Sequence, residues 1–248
     1  MWTIDYTMSL AIYNYTAAYL HTREPGVTYN IFTPNTTSNG DWTIGPPYYS
    51  LLFLSEALRS VDGDGSVIVS DLGLTNRIDN SYIAGYVVYD GSGREPQRLV
   101  LMNFGDWSSL TSGMPTVSFN IPSGLAKEFN NGTVSTKYLV APSVSEQQKI
   151  TWAGQGVDGQ GMLSTGSSEP QETFLSCSGG CNVDVPGPGV VLVDLNTTSV
   201  IKKKSTIANS STRCQKFVSP VIWFSWLGVL VFALMPSSFG SSFFLNFT

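Results

Sequence analysis

Acidic side chains near the N-terminus are the first candidates for chemistry in this sequence. Two carboxyl groups that rigid elements hold close together can act as a nucleophile and a proton donor. The first part of the chain contains the acids Asp5, Glu24, Asp41 and Glu56. Asp5 and Glu56 fall within predicted helices, and nothing in the sequence fixes Glu24 relative to Asp41. We therefore predict no catalytic residue in this chain.

A second group of polar side chains lies at the end of a predicted strand, AAYLH, and in the loop after it. The group consists of His21, Arg23, Tyr29 and Asn30. In α/β barrels, active sites form at the C-terminal ends of the strands. The planar guanidinium of Arg23 suits a carboxylate, and Tyr29 can stack on a ligand or donate its hydroxyl. We predict that these residues bind substrate; the alternative is that His21 caps the barrel mouth and Tyr29 only fills the loop.

The sequence contains no pattern typical of a metal or cofactor site. The single histidine, His21, has no nucleophile motif near it. Cys177 and Cys181 lack further ligands at the spacing of a zinc site. The glycine-rich stretch GQGVDGQG does not lead from a strand into a helix, as a phosphate-binding loop does. We therefore predict neither a metal nor a cofactor.

Composition and short motifs indicate an extracellular or cell-surface protein. Charged residues make up 12% of the chain and the net charge is −5, with no basic stripe, so a nucleic-acid partner is not expected. The first residues do not form a secretion signal, so we expect the natural N-terminus to lie upstream. The Asn-X-Ser/Thr motif predicts glycosylation at Asn14, Asn35, Asn131, Asn196 and Asn209, and it recurs at Asn246.

Cys177 and Cys181 are predicted to form a disulfide across a tight turn. Gly179 and Gly180 lie between them and tolerate positive φ. An oxidising compartment favours the bond, and a Cα separation above ~7 Å would rule it out. Because the loop is so short, we expect a local clamp rather than a large stabilisation. The third cysteine, Cys214, has no obvious partner.

The N-terminal region predicts one helix–strand–helix unit. Apolar residues recur at helical spacing over residues 2–16, the strand AAYLH follows, and Pro46 and Pro47 suit the start of a second helix. This order is the repeating unit of an α/β barrel or a doubly wound sheet. The pattern by itself leaves both of these architectures open.

From about Gly65 the hydrophobic period changes from helical spacing to two. In PTVSFNI, Val117, Phe119 and Ile121 point to one side, as in a half-buried strand. IAGYVVYD and VVLVDL are apolar on both sides and should be central strands. A succession of such strands without helices predicts an antiparallel β-sandwich over residues 61–196. The expected fold class is therefore mainly β, with an antiparallel sandwich after the helix–strand–helix unit.

The part of the sequence after the predicted sandwich consists of two regions that differ in composition. Residues 197–219 are a polar linker, and residues 220–248 form a hydrophobic tail without charges. The apolar run is short for a membrane span, which needs ~20 residues. A glycolipid-anchor signal tolerates a shorter run, so we predict a possible membrane attachment. A transmembrane segment and mis-spliced sequence stay open as alternatives.

The order of these parts resembles the C-terminal portion of family 79 glycoside hydrolases, with the closest likeness to β-glucuronidase-like members. The likeness rests on WTIDY, LHTR, YNIFTP, PPYYSLLFLSEAL, IAGYVVYD, RLVLMN and ITWAGQ, and on the stretch CSGGCNVDVPGPGVVLVDLN, and it covers roughly residues 2–196. The resemblance implies a TIM-type (β/α)8 barrel followed by a β-sandwich, so that residues 1–60 are the C-terminal remnant of an incomplete barrel and residues 61–196 are the sandwich. It also implies retaining hydrolysis of a glycoside by two glutamates on barrel strands upstream of Met1.

Two functions are compatible with these observations. In the first, the chain is the C-terminal β-sandwich portion of a β-glucuronidase-like hydrolase, supports the catalytic barrel, and is inactive alone. In the second, it is a surface-anchored, non-enzymatic sandwich that binds carbohydrate or mediates adhesion. In both, the expected partner is a carbohydrate.

Overall fold

The structure, a computed structural model, describes residues 1–22, 27, 29–33, 43–60, 65–74, 82–93, 95–106, 115–127, 132–158, 171–196 and 242–246. The fold within these ranges is mainly antiparallel β-structure with a helix–strand–helix unit at its start. The predicted fold class is therefore confirmed. The predicted domain boundaries stay predictions.

The N-terminal unit consists of helix α1 (Trp2–Ile12), strand β1 (Ala17–His21) and helix α2 (Pro46–Ala57), with the short pair β2 (Phe32–Thr33) and β3 (Thr43–Ile44) before α2. Helix α1 ends earlier than predicted. Asn14 has a φ of +61°, a left-handed conformation that breaks the helix and that Asn tolerates better than most residues. Helix α2 begins at Pro46, where a missing N–H costs nothing.

The second part is built almost entirely from strands. In chain order they are β4 (Val67–Asp71), β5 (Ile83–Asp90), β6 (Pro96–Asn103), β7 (Thr116–Ile121), β8 (Thr133–Val140), β9 (Thr151–Trp152), β10 (Thr173–Ser176), β11 (Cys181–Pro186) and β12 (Gly189–Asp194), with the short helix α3 (Ser123–Lys127) after β7. The main sheet has the order β10-β8-β12-β6-β5-β4, and β9 pairs with β8. Strands β7 and β11 form a separate ribbon.

The main sheet is buried on both faces because its central strands are apolar at every position. In β12, Val190 and Leu192 join one core with the helices, whereas Val191 and Val193 join another with the ribbon. We call these the helix-side core and the ribbon-side core. Strands β5 and β6 divide their residues in the same alternating way, since side chains of a strand point to opposite faces. The prediction that IAGYVVYD and VVLVDL are internal strands is confirmed.

Strand β11 is the element that the sequence analysis missed. Its alternation of buried Val183 and Val185 with exposed Asn182 and Asp184 is short and lies between glycine turns. It pairs with β7, whose Phe119 and Ile121 are buried as predicted. The ribbon therefore supplies the second layer of the sandwich.

The C-terminal tail is described only at residues 242–246. This segment is strand β13 (Ser242–Asn246), whose backbone pairs antiparallel with β1. The predicted linker and most of the predicted hydrophobic tail lie outside the described residues. Among the helices that the structure describes, none is long and apolar enough to cross a membrane.

Candidate functional site

A cleft of about 590 Å³ lies between the first turns of the two helices and the segment that follows β8. Trp2 of α1 and Pro46 of α2 line it on the helix side, and Phe104, Ile150 and Pro188 line it on the sandwich side.

The residues predicted to bind substrate do not all meet at this cleft. Tyr29 lines it and is 50% exposed. His21 is exposed at the end of β1 and does not line the cleft. Arg23 lies outside the described residues. Of these residues, the structure therefore brings Tyr29 to the cleft, and its contact with a substrate stays a prediction.

Asn30 has a structural place beside the cleft. It is 2% exposed, and its side-chain amide donates a hydrogen bond to Thr33 Oγ1 at 3.2 Å. Its backbone carbonyl packs so closely against Gly45 that a Cβ at position 45 would come within 1.7 Å of the oxygen. Gly45 immediately precedes α2, so this close approach sets where the helix begins.

The sequence analysis did not single out the segment 141–150, which forms one wall of the cleft. Its composition, with Pro142, Ser143 and Ser145, is that of an ordinary turn. Oε1 of Glu146 accepts hydrogen bonds from the backbone N–H groups of Gln147, Gln148 and Lys149 at 3.0, 2.9 and 3.2 Å. These bonds, that of Gln148 first, lower the pKa of Glu146, so the carboxylate is charged at neutral pH.

Three strands of the sheet make polar contacts with the helices around the helix-side core. The hydroxyl of Tyr86 in β5 donates to the carboxylate of Asp5 in α1. Lys137 in β8 forms an ion pair with Glu56 in α2. Both acids of the helices are thereby held by groups of the sandwich.

Arg98 in β6 makes the most deeply buried of these contacts. It is 1% exposed, and its Nη1 donates to the carbonyl oxygens of Ala57 at 3.4 Å and Arg59 at 2.6 Å, at the C-terminal end of α2. Its Nε lies 3.6 Å from Asp194 Oδ2. Burial lowers the pKa of Arg98 and raises the pKa of Asp194, and their attraction only partly opposes both shifts. The pair therefore fixes the position of α2 more than it adds stability.

Cys177 and Cys181 form a disulfide in the structure, with their Cα atoms 4.7 Å apart. That separation is well below the ~7 Å above which no bond could form. Gly180 has a φ of +90°, and its N–H donates to the carbonyl of Cys177 at 2.9 Å, so the turn uses glycine where it was expected. The bond closes the turn between β10 and β11.

The predicted glycosylation sites lie in different surroundings. Asn14 is exposed in the turn after α1. The side-chain amide of Asn196 is 3.4 Å from Gln97 Oε1 at the end of β12. Asn35, Asn131 and Asn209 lie outside the described residues, and for Asn246 only the backbone is described. Glycosylation of all of them stays a prediction. Within the described ranges, no group of three or more His, Cys, Asp or Glu side chains could hold a metal ion.

Comparison with known families identifies the sandwich. Residues 85–192, from β5 into β12, match the family described as "Glycosyl hydrolase family 79 C-terminal beta domain". This part of the chain is thus similar to the family 79 C-terminal beta domain. The matched segment contains the inner strands of the sheet, the ribbon and the disulfide. A search of the curated proteins finds no match to the chain.

The chain also has a similar protein among the solved structures. The chain is similar to the crystal structure of a 4-O-α-L-rhamnosyl-β-D-glucuronidase from Fusarium oxysporum 12S in complex with Rha-GlcA, with 20% sequence identity and a TM-score of 0.48. The match covers 62% of this chain and 31% of that chain. The chain thus spans about a third of the length of that enzyme.

Proposed function

We propose that this chain is the C-terminal β-domain portion of a retaining, β-glucuronidase-like glycoside hydrolase and that its sheet holds the last helices of a catalytic barrel. The observation that carries the proposal is the helix-side core. Ile4 and Met8 of α1 and Phe53 of α2 are fully buried there together with Val88 and Met102 of the sheet. An independent sandwich would not need to bury two helices in its own core.

The support acts on the ends of the helices that face a substrate. The first turns of α1 and α2 line the cleft, and in barrel enzymes the loops that lead from the strands into the helices form the substrate site. Arg98 holds the opposite end of α2 through its last carbonyl groups. The sheet therefore restrains the helices whose preceding loops would border a substrate site, and rigid support of this kind favours catalysis.

The bond-cleaving carboxyl groups are proposed to belong to the barrel of the parent enzyme. Retaining hydrolysis needs two carboxyl groups ~5–5.5 Å apart, one nucleophile and one proton donor. Asp5 already accepts a hydrogen bond from Tyr86, while Glu56 is paired with Lys137 and Asp194 with Arg98. None of these three acids is available to act in such a pair, and we expect that this chain alone does not hydrolyse glycosides.

A hydrolysis assay tests this proposal. The purified full chain is incubated with an aryl β-glucuronide and an aryl β-glucoside, and we expect no turnover above a matched blank. Turnover that disappears in Glu24→Ala or Asp41→Ala would contradict the proposal and assign the chemistry to the loop before α2. Asp71→Ala serves as the control, because Asp71 is exposed at the end of strand β4.

The second candidate function is a non-enzymatic carbohydrate-binding or adhesive protein at a surface, and the cleft beside Tyr29 favours it. The two candidates differ in the size of the natural protein. A native protein much heavier than the 26.8 kDa of this chain, with glycosidase activity, supports the hydrolase. A native protein of this mass that binds glycans without cleaving them supports the second function.

We also propose that the protein works outside the cell. The disulfide between Cys177 and Cys181 and the exposed position of Asn14 support this location, since disulfides persist in oxidising compartments. Loss of mass on treatment of the native protein with a glycosidase specific for N-linked glycans tests it. Membrane attachment through residues 220–248 stays a prediction, and release of the protein from cells by a phospholipase would support it.

A further inference from the structure

We propose that the cleft between the helix ends and segment 141–150 binds a neutral sugar unit of a glycan. This inference rests on the proposed function, because it assigns a carbohydrate to a part of the chain that carries no catalytic group. It concerns a site formed jointly by the helices and the sandwich. A sugar bound there would be recognised apart from the bond that is cleaved.

The size and the walls of the cleft suit a sugar ring. Its volume of about 590 Å³ lies within the range of ~300–1,000 Å³ typical of small-molecule sites. The walls are largely apolar, and two aromatic residues with exposed surface, Trp2 and Tyr29, line it. A pyranose presents C–H groups on its faces, and these pack well on aromatic rings and on the rings of Pro46 and Pro47.

Hydroxyl-binding groups lie on segment 141–150. The side-chain oxygens of Ser143 and Ser145 are 3.2 Å apart, so the two hydroxyls form a hydrogen-bonded pair among the residues that line the cleft. Oε1 of Glu146 is used by its backbone turn, but that turn does not use Oε2. A carboxylate oxygen accepts hydrogen bonds strongly, so Oε2 suits a sugar hydroxyl.

Charge decides which sugar the cleft favours. Among the described residues, Glu146 is the only charged side chain that lines it. Met1 also lines it, and burial lowers the pKa of its α-amino group to about 6, so this amine is mostly uncharged at neutral pH. A uronic acid would bring a second negative charge to a site without a lysine or arginine in its lining, and like charges repel. A neutral sugar avoids this repulsion and retains the aromatic and hydroxyl contacts. The cleft therefore selects neutral units and not the uronate of a glucuronide.

Titration of the full chain with two matched probes tests the inference. The neutral probe is methyl β-cellobioside, and the acidic probe has glucuronic acid in place of its terminal glucose. Binding is followed by NMR through the indole N–H signal of Trp2 and by calorimetry. We expect the neutral probe to shift the indole signal and to bind more tightly than the acidic one.

Variants locate the binding in the cleft. Tyr29→Ala should weaken binding of the neutral probe at least about fivefold, the size of one lost aromatic contact. Tyr82→Ala should change nothing, because Tyr82 is 63% exposed and does not line the cleft. Glu146→Gln, which keeps an oxygen for the backbone turn, should bring the affinity for the acidic probe close to that for the neutral one.

The results separate this inference from the proposed function. Absence of binding by both probes, equal or tighter binding of the acidic probe, or unchanged binding in Tyr29→Ala would each overturn the neutral-sugar site. None of these results bears on the supporting role of the sheet or on the absence of hydrolysis. Conversely, hydrolysis by the chain would contradict the proposed function even if the cleft binds neutral sugar.

Discussion

The two faces of the main sheet are built from the same strands but bury different partners. On the ribbon side, Val191 and Val193 pack with the valines of β11, and the buried amide of Asn103 joins β6 to the ribbon by a hydrogen bond to Val185. On the helix side, an apolar core is surrounded by charged and phenolic groups that reach the helices. The ribbon completes the sandwich, whereas the other face is specialised to hold α1 and α2.

This difference teaches what each kind of contact contributes. Apolar burial is roughly proportional to area and does not by itself define one orientation. Hydrogen bonds and ion pairs have directions, so Tyr86, Arg98 and Lys137 specify where each helix lies on the sheet. The apolar core of the helix side therefore contributes stability, whereas its polar contacts define the orientation of the helices. We expect mutations in the core and mutations of the polar contacts to have different effects on unfolding.

The largest loss of unfolding free energy is expected from Phe53→Ala, which leaves a cavity in the helix-side core. Phe53 is fully buried and its ring meets Trp152 edge to face, with centroids 5.1 Å apart. Truncating such a residue costs about 3–5 kcal/mol of unfolding free energy. Urea denaturation measures the loss, and hydrogen exchange should accelerate over residues 46–57.

The matched change on the other face is Val183→Ala in the ribbon, where Val183 is also fully buried. It should accelerate exchange in residues 181–186 and leave the helices protected. If Phe53→Ala and Val183→Ala loosen the same amides, the two faces do not act as separate layers.

An intermediate effect is expected from Arg98→Met, which tests the polar contacts of the helix side. The change leaves Asp194 buried without its cation and leaves the carbonyls of Ala57 and Arg59 without this donor. Removing one partner of a buried pair costs about 3 kcal/mol or more. Thermal and urea unfolding give the value, and Arg98→Lys, which keeps the charge, should lose less. A loss below about 1 kcal/mol would mean that Arg98 does not hold α2.

The smallest loss of unfolding free energy is expected from Tyr86→Phe, and the size of this loss depends on pH. The lost hydrogen bond to Asp5 should cost about 1 kcal/mol near neutral pH. Burial first, and then the bond to Asp5, raise the pKa of Tyr86 in the folded protein. The contribution is fully present below pH ~10, where the unfolded phenol is protonated, and is lost as pH rises further, because the unfolded chain releases the proton first.

Unfolding free energies of the wild type and Tyr86→Phe between pH 7 and 11 check this expectation. The difference between the two proteins should shrink above pH ~10. Tyr82→Phe provides the control, since its side chain is largely exposed and should not alter stability at any pH. A difference that stays constant or grows with pH would contradict the role given to Tyr86.

The candidate site could be anticipated only in part. Tyr29 was predicted because it follows a strand that ends a barrel unit, and it lines the cleft. Trp2 and Glu146 were not predicted as site residues, because an aromatic residue in a helix and an acid in a turn are common everywhere. Asn30 was predicted to bind substrate, but its surroundings, a hydrogen bond to Thr33 and the close packing on Gly45, depend on a loop whose path has no sequence period.

The sequence by itself determined the strands of the main sheet, the start of α2 and the turn at Gly179 and Gly180, because these depend on neighbours a few residues away. The continuous apolar character of IAGYVVYD and VVLVDL was enough to mark strands buried on both faces. Only the tertiary structure decided that β11 pairs with β7, that the helices lie on the sheet, and that Arg98 holds α2. The physical reason is distance along the chain. Arg98 and Arg59 are 39 residues apart, and Tyr86 and Asp5 are 81 apart, so no local pattern of residue types specifies that they meet.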